Sequence, residues 1–278
     1  MSLRVITPGP LTTVQDLGRP GRSDIGVGPS GAADRAAAAL ANRLVGNGPG
    51  AAVLETTFGG LELETTTDVV VAVTGAPCPG APMSSTTRLR AGQRLTLGTP
   101  ATGLRTYVAV RGGIDVEPVL GSRSTDLLAR LGPDPLAEGD ELPVGDDQDP
   151  ELYGVDCAPA PTPTGDVVRL PLVRGPRDDW FGDAGWADLT GRTWTASRNS
   201  NRVGLRLEGE PLRREREGEL ASEGMTRGAV QVPPSGEPVV FLADHPITGG
   251  YPVIGYVCDE ALDLAAQVRP GQGVRFLG

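Results

Sequence analysis

Glycine and proline interrupt this chain so often that no long regular element fits between them. Its 278 residues include 40 Gly and 26 Pro, about twice the usual combined share of roughly 12%, spread along the chain rather than clustered. Between them recur short aliphatic runs: Leu3 to Ile6, Val69 to Val73, Leu95 to Leu97, Thr106 to Val110, Val167 to Val173, Val239 to Leu242 and Val253 to Val257. Runs of this length bounded by Gly, Pro, Asp or Thr read as strands. The sequence therefore predicts a mainly β protein with a few short helices. The strongest helix signal covers Ala32 to Val45, where Ala36, Ala37, Leu40, Ala41 and Leu44 share a face and Gly46-Asn47-Gly48-Pro49 stops it. A second helix is expected over Glu260 to Val268 with Asp259 as N-cap, and a third, shorter one after Ser124, ending near Gly132-Pro133.

Two pairs of segments echo each other. Leu3-Arg4-Val5-Ile6-Thr7-Pro8-Gly9-Pro10 resembles Val168-Arg169-Leu170-Pro171-Leu172-Val173-Arg174-Gly175-Pro176, and Arg90-Ala91-Gly92-Gln93-Arg94-Leu95 resembles Arg269-Pro270-Gly271-Gln272-Gly273-Val274. The echo predicts two related β domains, over residues 1–150 and 166–278. The Asp-, Pro- and Thr-rich stretch at about 146–165 reads as the linker, with strand exchange between the halves allowed for.

Composition removes several function classes. Asp and Glu number 35 against 25 basic residues, a formal charge of −10, so a nucleic-acid partner is not expected. All the basic residues are arginine. Without lysine there is no Schiff base, no Walker-type phosphate lysine and no attachment point for biotin. The one histidine, His245, cannot build a multi-histidine metal site, so no metal is expected on this chain, and His245 itself is read as packed or solvated. Cys78, Cys157 and Cys258 are odd in number and far apart, which predicts a reducing, cytoplasmic setting rather than a disulfide framework. No leader-like segment and no membrane-spanning run is apparent.

The densest concentration of candidate site residues lies between Ser197 and Pro252. Arg202 is suited to clamp a carboxylate or phosphoryl group, with Ser200 and Asn201 adding directional hydrogen bonds. The competing reading is a surface ion pair with Glu215, Glu217 or Glu219. Thr248-Gly249-Gly250, following Asp244, forms either an anion nest or a tight hairpin turn. Near the amino terminus, Gln15-Asp16-Leu17-Gly18-Arg19 puts an amide, a carboxylate and a guanidinium in one turn; Asp16 and Arg19 either pair to brace the loop or face a partner or ligand. Gly26-Val27-Gly28-Pro29-Ser30-Gly31 matches a dinucleotide-binding spacing but follows a polar, turn-rich segment and contains Pro29, so no nicotinamide site is predicted. Ser30 and Gly31 read either as helix-start anion ligands or as plain caps.

Taken in order, Gln15-Asp16-Leu17-Gly18-Arg19-Pro20-Gly21, Pro29-Ser30-Gly31-Ala32-Ala33-Asp34, Leu54-Glu55-Thr56-Thr57, Ser200-Asn201-Arg202-Val203-Gly204, Ser222-Glu223-Gly224, Gln231-Val232-Pro233-Pro234 and Thr248-Gly249-Gly250-Tyr251-Pro252 resemble the biotin-dependent carboxyltransferase family. That family includes proteins called allophanate hydrolase subunit 2, the KipI antagonist KipA and the C component of 5-oxoprolinase. The resemblance implies two cyclophilin-like β-barrel domains and a KipI-like partner, the B component (allophanate hydrolase subunit 1), in a heterodimer or heterotetramer. It also implies ATP-dependent opening of 5-oxoproline to glutamate together with a third protein, the A component, with ATP and Mg2+ entering at the level of the complex. Alternatives within the resemblance are carboxyl transfer from carboxybiotin carried on another chain and non-catalytic capture of a KipI-type kinase inhibitor. On the first reading Arg202, Glu223, Asp244 and Thr248 are the expected catalytic set, and Ser200, Asn201, Gln231, Gly249, Gly250 and Tyr251 the substrate-binding set. Gln15, Asp16, Arg19, Ser30, Gly31 and Asp34 form an anion or interface loop. One departure stands out: the family often reads Asp-x-Gln-Thr-Thr-Gly-Gly-Tyr-Pro, whereas Pro246 and Ile247 occupy the Gln and first Thr positions here.

Overall fold

The computed structural model describes residues 1–146, 157–159, 165–216, 218 and 220–278. Most of the expected linker, residues 147–156 and 160–164, lies outside the described residues. The chain forms two compact units. The first is built from Met1–Arg19, Ser30–Asp126 and the described residues from Arg130 onward in the first half. The second takes Pro20–Pro29, Leu127–Ala129 and Gly165–Gly278.

Among its described residues the first unit holds two antiparallel sheets. One runs Leu11–Gln15, Val53–Thr57, Arg105–Val110, Val69–Gly75, Thr86–Leu89; the other Arg94–Thr96, Leu61–Thr65, Ser2–Pro8, Glu141–Pro143. Side-chain alternation sorts their faces. In Leu61–Thr65 the leucines point inward while Glu62 and Glu64 point out, where both pair with Arg94. Leu3, Val5, Leu61 and Leu63 from one sheet share a buried cluster with Val14, Leu54, Val71 and Val108 from the other, each such side chain contributing about 1.5–3 kcal/mol by leaving water. Every residue of Arg105–Val110 is buried. Its second face is covered by helix α1 (Arg35–Leu44), whose Ala38 and Ala41 pack with Tyr107 and Ala109.

The second unit contains a closed barrel of seven described strands, in the order Val167–Arg174, Val253–Val257, Ala229–Gln231, Val239–Phe241, Gly204–Glu208, Trp194–Ala196, Gly273–Leu277. The ring closes by parallel pairing of Val167–Pro171 with Gly273–Leu277. Leu170, Trp194, Leu205, Leu207, Val230, Val240, Ile254, Val274 and Phe276 belong to its buried core. Helices α2 (Gly182–Gly191) and α3 (Asp259–Ala266) complete the unit.

The sequence echo has a structural counterpart. In the first unit Gln93 Oε1 accepts from the Arg90 N–H at 2.7 Å while the Gln93 N–H donates to the Arg90 carbonyl at 2.9 Å. Gln272 and Arg269 repeat both bonds at 3.0 Å in the second unit. Gly92 and Gly271 occupy the same left-handed region, at φ 78° and 83°, which a side chain would disfavour. Each turn launches a strand.

Three helix expectations need correction. The first helix begins at Arg35 rather than Ala32, because Asp34 caps it through Oδ1 and the Ala37 N–H at 2.9 Å. The helix expected over Glu260 to Val268 is Asp259–Ala266, starting one residue and ending two residues earlier, with Cys258 rather than Asp259 at the N-cap. After Ser124 there is no helix: Asp126 and Leu131 exchange backbone bonds of 2.8 and 3.3 Å around a turn. Conversely, α2 escapes sequence reasoning because Gly182, Gly185 and Gly191 give it little helical signature.

Candidate functional site

In the first unit, Leu11–Gln15 pairs with Val53–Thr57, Gln15 opposite Val53, and the loop that follows carries Asp16 and Arg19. Asp16 collects four donors: the Gly18 N–H at 2.7 Å, Ser122 Oγ at 2.6 Å, Ser124 Oγ at 2.5 Å and the Arg123 N–H at 2.7 Å. Its carboxylate thereby fastens the Ser122–Ser124 segment to the loop. Of the two readings of this loop, the Asp16–Arg19 brace does not form. Arg19, 2% exposed, donates instead through Nε to the Val119 carbonyl at 3.3 Å and through Nη2 to the Ser124 carbonyl at 2.5 Å.

Gln15 donates through Nε2 to Thr13 Oγ1 and to the Thr125 carbonyl, both at 3.0 Å. Ser30, with φ 52°, donates to the same carbonyl at 3.2 Å. Gly31 lets two loops touch: at φ 90°, a Cβ there would lie 2.9 Å from the Gly18 nitrogen, and the neighbouring Ala32 N–H donates to the Asp16 carbonyl at 3.0 Å.

The start of α1 is already served by protein carboxylates. Glu55 Oε2 accepts from the Ala33 N–H at 2.8 Å and from Tyr107 Oη at 2.7 Å; Tyr107 Oη in turn accepts from the Asp34 N–H at 2.7 Å. Arg105 lies 3.4 Å from Glu55 Oε1 in a buried ion pair. With Asp34 and Glu55 at the helix start, a further anion there would meet like charge, so the anion-at-helix-start expectation is corrected. Burial, and then the charges of Glu55 and Asp34, hold the Tyr107 hydroxyl well above its ordinary pKa. It stays a phenol and a donor.

In the second unit, Arg202 and Asp244 form a bidentate pair, Nε to Oδ2 at 3.0 Å and Nη2 to Oδ1 at 2.9 Å, with both side chains essentially inaccessible. Asp244 Oδ2 also accepts from the Leu127 N–H at 3.1 Å. The alternative of a surface pair with a nearby glutamate is corrected by burial: Arg202 is not at the surface, and it meets Asp244, 42 residues away. Glu217 and Glu219, named in that alternative, lie outside the described residues. Asn201 Oδ1 accepts from the Val203 and Gly204 N–H groups at 2.9 and 3.2 Å, and Ser200 Oγ bonds both backbone groups of Arg206. These two side chains close the turn into Gly204–Glu208.

The remaining candidates cluster around a short ladder in which Glu223 opposes Gly249 and Gly224 opposes Thr248. Neither Gly249 nor Gly250 takes a positive φ, so the run lacks the left-handed residue that the alternating turn of an anion nest requires. A Cβ on Gly249 would lie 2.7 Å from Gln231 Nε2, and Gln231 Nε2 donates to the Tyr251 carbonyl at 3.1 Å. Thr248 and Tyr251 are exposed. Glu223 pairs with Arg177 through both oxygens, Oε2 at 3.1 Å from Nε; that hydrogen bonding holds its carboxyl below the usual range. His245 is packed, its Nδ1 2.9 Å from the Pro246 carbonyl and its ring stacked on Phe241.

Sequence reasoning misses Ser122, Ser124 and Thr125 as site residues, because Ser124 looks like a helix cap. The density of hydroxyl groups in Ser122-Arg123-Ser124-Thr125 is the available signal. It also misses Glu55, which is betrayed only by being an acid inside an otherwise buried strand.

A family model described as "Carboxyltransferase domain, subdomain A and B" matches residues 25–277. The C component of the Escherichia coli 5-oxoprolinase is 40% identical over 99% of this chain and 90% of that protein. The protein of the same name from Haemophilus influenzae is 35% identical, over 95% and 87%. Among solved structures, TTHA0988 is 36% identical with a TM-score of 0.88, covering 100% of this chain and 56% of that one. The urea amidolyase of K. lactis is 29% identical with a TM-score of 0.92, covering 99% of this chain and 18% of that one. The chain thus spans about half of TTHA0988 and under a fifth of that urea amidolyase.

Proposed function

The chain belongs to the carboxyltransferase domain family, subdomain A and B, and from that premise we propose that it is the C component of a 5-oxoprolinase, part of a hydrolase complex that opens 5-oxoproline to glutamate. The observation that carries this reading is its end-to-end likeness to proteins of that name. In the reading, ATP activates the resonance-stabilised lactam so that water can attack. ATP and Mg2+ enter at the level of the complex, formed with a KipI-like B component as heterodimer or heterotetramer and assisted by an A component, in the cytoplasm. Among the described residues no helix is long and apolar enough to cross a membrane.

Arg202, Glu223, Asp244 and Thr248 are the proposed chemical set. Asp244 acts on Arg202, fixing the guanidinium by two parallel bonds. Glu223, kept ionised by Arg177, serves as acceptor or general base rather than as an acid. Gln231, Gly249, Gly250 and Tyr251 are proposed to shape the substrate surface beside the Thr248 hydroxyl, and Ser200 and Asn201 to hold the turn that presents Arg202.

The likeness to urea amidolyase supports a second reading, carboxyl transfer from carboxybiotin on another chain; biotin cannot be attached here, since the sequence has no lysine. One experiment separates the two. The chain is purified with its B and A components, and glutamate and phosphate release from 5-oxoproline and ATP are measured with and without avidin. ATP-coupled, avidin-resistant glutamate formation is expected. An assembled complex that makes no glutamate would overturn the first reading, and avidin-sensitive carboxylation of an amide or urea would establish the second.

A further inference from the structure

The duplicated strand that opens each unit carries an arginine at the same place, and its neighbours differ between the two. In the first unit Arg4 lies between two acids in the strand register, Glu64 on one side and Glu141 on the other, and its Nη2 donates to Glu141 Oε1 at 3.1 Å. Glu64 and Glu62 in turn hold Arg94. In the second unit the counterpart of Arg4 is Arg169, and the residue beside it on the neighbouring strand is another arginine, Arg275. Both are exposed, and among the described residues no carboxylate pairs with either.

Paired strands lie about 4.8 Å apart, so the two side chains start as close neighbours, and like charges so placed repel. They do so in the ladder that closes the barrel, Val167–Pro171 against Gly273–Leu277. A chain with 35 acidic and 25 basic residues has acids to spare, yet none of the described ones is used here. Alternation along the strands frames the pair with apolar side chains: Val167, Pro171 and Val173 share the outward face of one strand with Arg169, and Leu277 that of the other with Arg275. Val167, Val173 and Leu277 are exposed, whereas the intervening Leu170 and Phe276 belong to the barrel core. Arginine is enriched where proteins meet, and acidic motifs are read by clusters of it; exposed aliphatic residues around such a cluster add contact area. We infer that this face binds an extended acidic peptide segment of a protein partner, two carboxylates meeting Arg169 and Arg275 and aliphatic side chains on either side meeting Val167, Val173 and Leu277. A nucleic acid or an anionic bilayer fits less well, since it brings many negative charges against a chain of net charge −10 while only this small cationic face attracts it.

The test uses the full chain and the fluorescence anisotropy of a labelled peptide, acetyl-Leu-Gly-Glu-Gly-Glu-Gly-Leu-amide, at low ionic strength. Wild type should bind it on the order of 10-fold more tightly than the peptide with Gln in place of both Glu, and the preference should shrink as salt is added. The double substitution Arg169→Gln and Arg275→Gln should abolish the preference, whereas Arg4→Gln, at the matching position of the first unit, should leave it intact. Because the two arginines repel each other, the double variant should unfold at the same temperature as wild type or above it, so that lost binding is not lost folding. Equal binding of the two peptides, no binding of either, a preference that survives the double substitution, or a lower thermal midpoint for the double variant would overturn the proposal. So would binding confined to phosphatidylserine vesicles or to duplex DNA. A wild-type dimer in sedimentation that the double variant dissolves would also overturn it, giving the face to a second copy of this chain.

Discussion

Replacing Asp244 by alanine should destabilise the protein sharply. In the native fold its two oxygens receive Arg202 Nε and Nη2 at 3.0 and 2.9 Å, and the Leu127 N–H at 3.1 Å. Both side chains of the pair are at most 1% exposed, so solvent screening does not reduce the figure. Removing one partner of a buried pair leaves the other charge desolvated, at a cost of about 3–5 kcal/mol, and the lost acceptor for Leu127 adds about 1 kcal/mol. For a chain of this size the thermal midpoint should fall on the order of 10 °C. Asp244→Asn, which keeps an acceptor but not the charge, should fall between wild type and alanine. Urea unfolding of wild type, Arg202→Met, Asp244→Ala and the double variant gives the coupling, expected at about 2 kcal/mol or more. An Asp244→Ala protein within about 1 kcal/mol of wild type, or additive single effects, would refute the reasoning.

Other expectations follow from the same contacts. Gly31→Ala puts a Cβ 2.9 Å from the Gly18 nitrogen at φ 90°, and should cost about 2 kcal/mol or more by urea titration. Tyr107 should stay protonated in the folded protein above its ordinary pKa of 10.0, so alkaline difference absorbance should show a missing tyrosinate step until unfolding. Because the unfolded chain then binds fewer protons than the folded one, stability should fall as pH rises past about 10, and Tyr107→Phe should flatten that fall. Glu223 behaves oppositely: its depressed pKa favours the fold above the ordinary value of 4.5 and stops doing so as pH drops through the folded value. Glu223→Gln should therefore soften the acid limb of a stability profile, and an unchanged limb would count against the Arg177 pairing in solution.

The strands are readable because their signal is local. Val253 to Val257 reads as a strand with the bounds the structure gives, and the Arg90–Gln93 and Arg269–Gln272 turns announce themselves by repeating a short stretch of sequence. Local patterns fare worse where a residue has two possible employers. Ser124 has a helix-cap side chain, but Asp16, more than a hundred residues away, takes its hydroxyl and its segment becomes a turn. Thr248-Gly249-Gly250 fits a nest as well as a tight hairpin turn, and pairing with Glu223–Gly224 instead draws Thr248 and Gly249 into a short strand.

What the sequence determined by itself is the material: short β segments, arginine as the sole strong cation, and the residues, from Gln15 to Tyr251, that make up the candidate sites. What only the tertiary structure decided is who meets whom. Asp16 and Arg19 are three residues apart yet do not pair, whereas Arg202 and Asp244 are far apart in sequence and share two hydrogen bonds. Backbone conformation follows from neighbours along the chain. The partner of a charge is set by which strands the fold places side by side, and by which buried groups remain to be satisfied once water is gone.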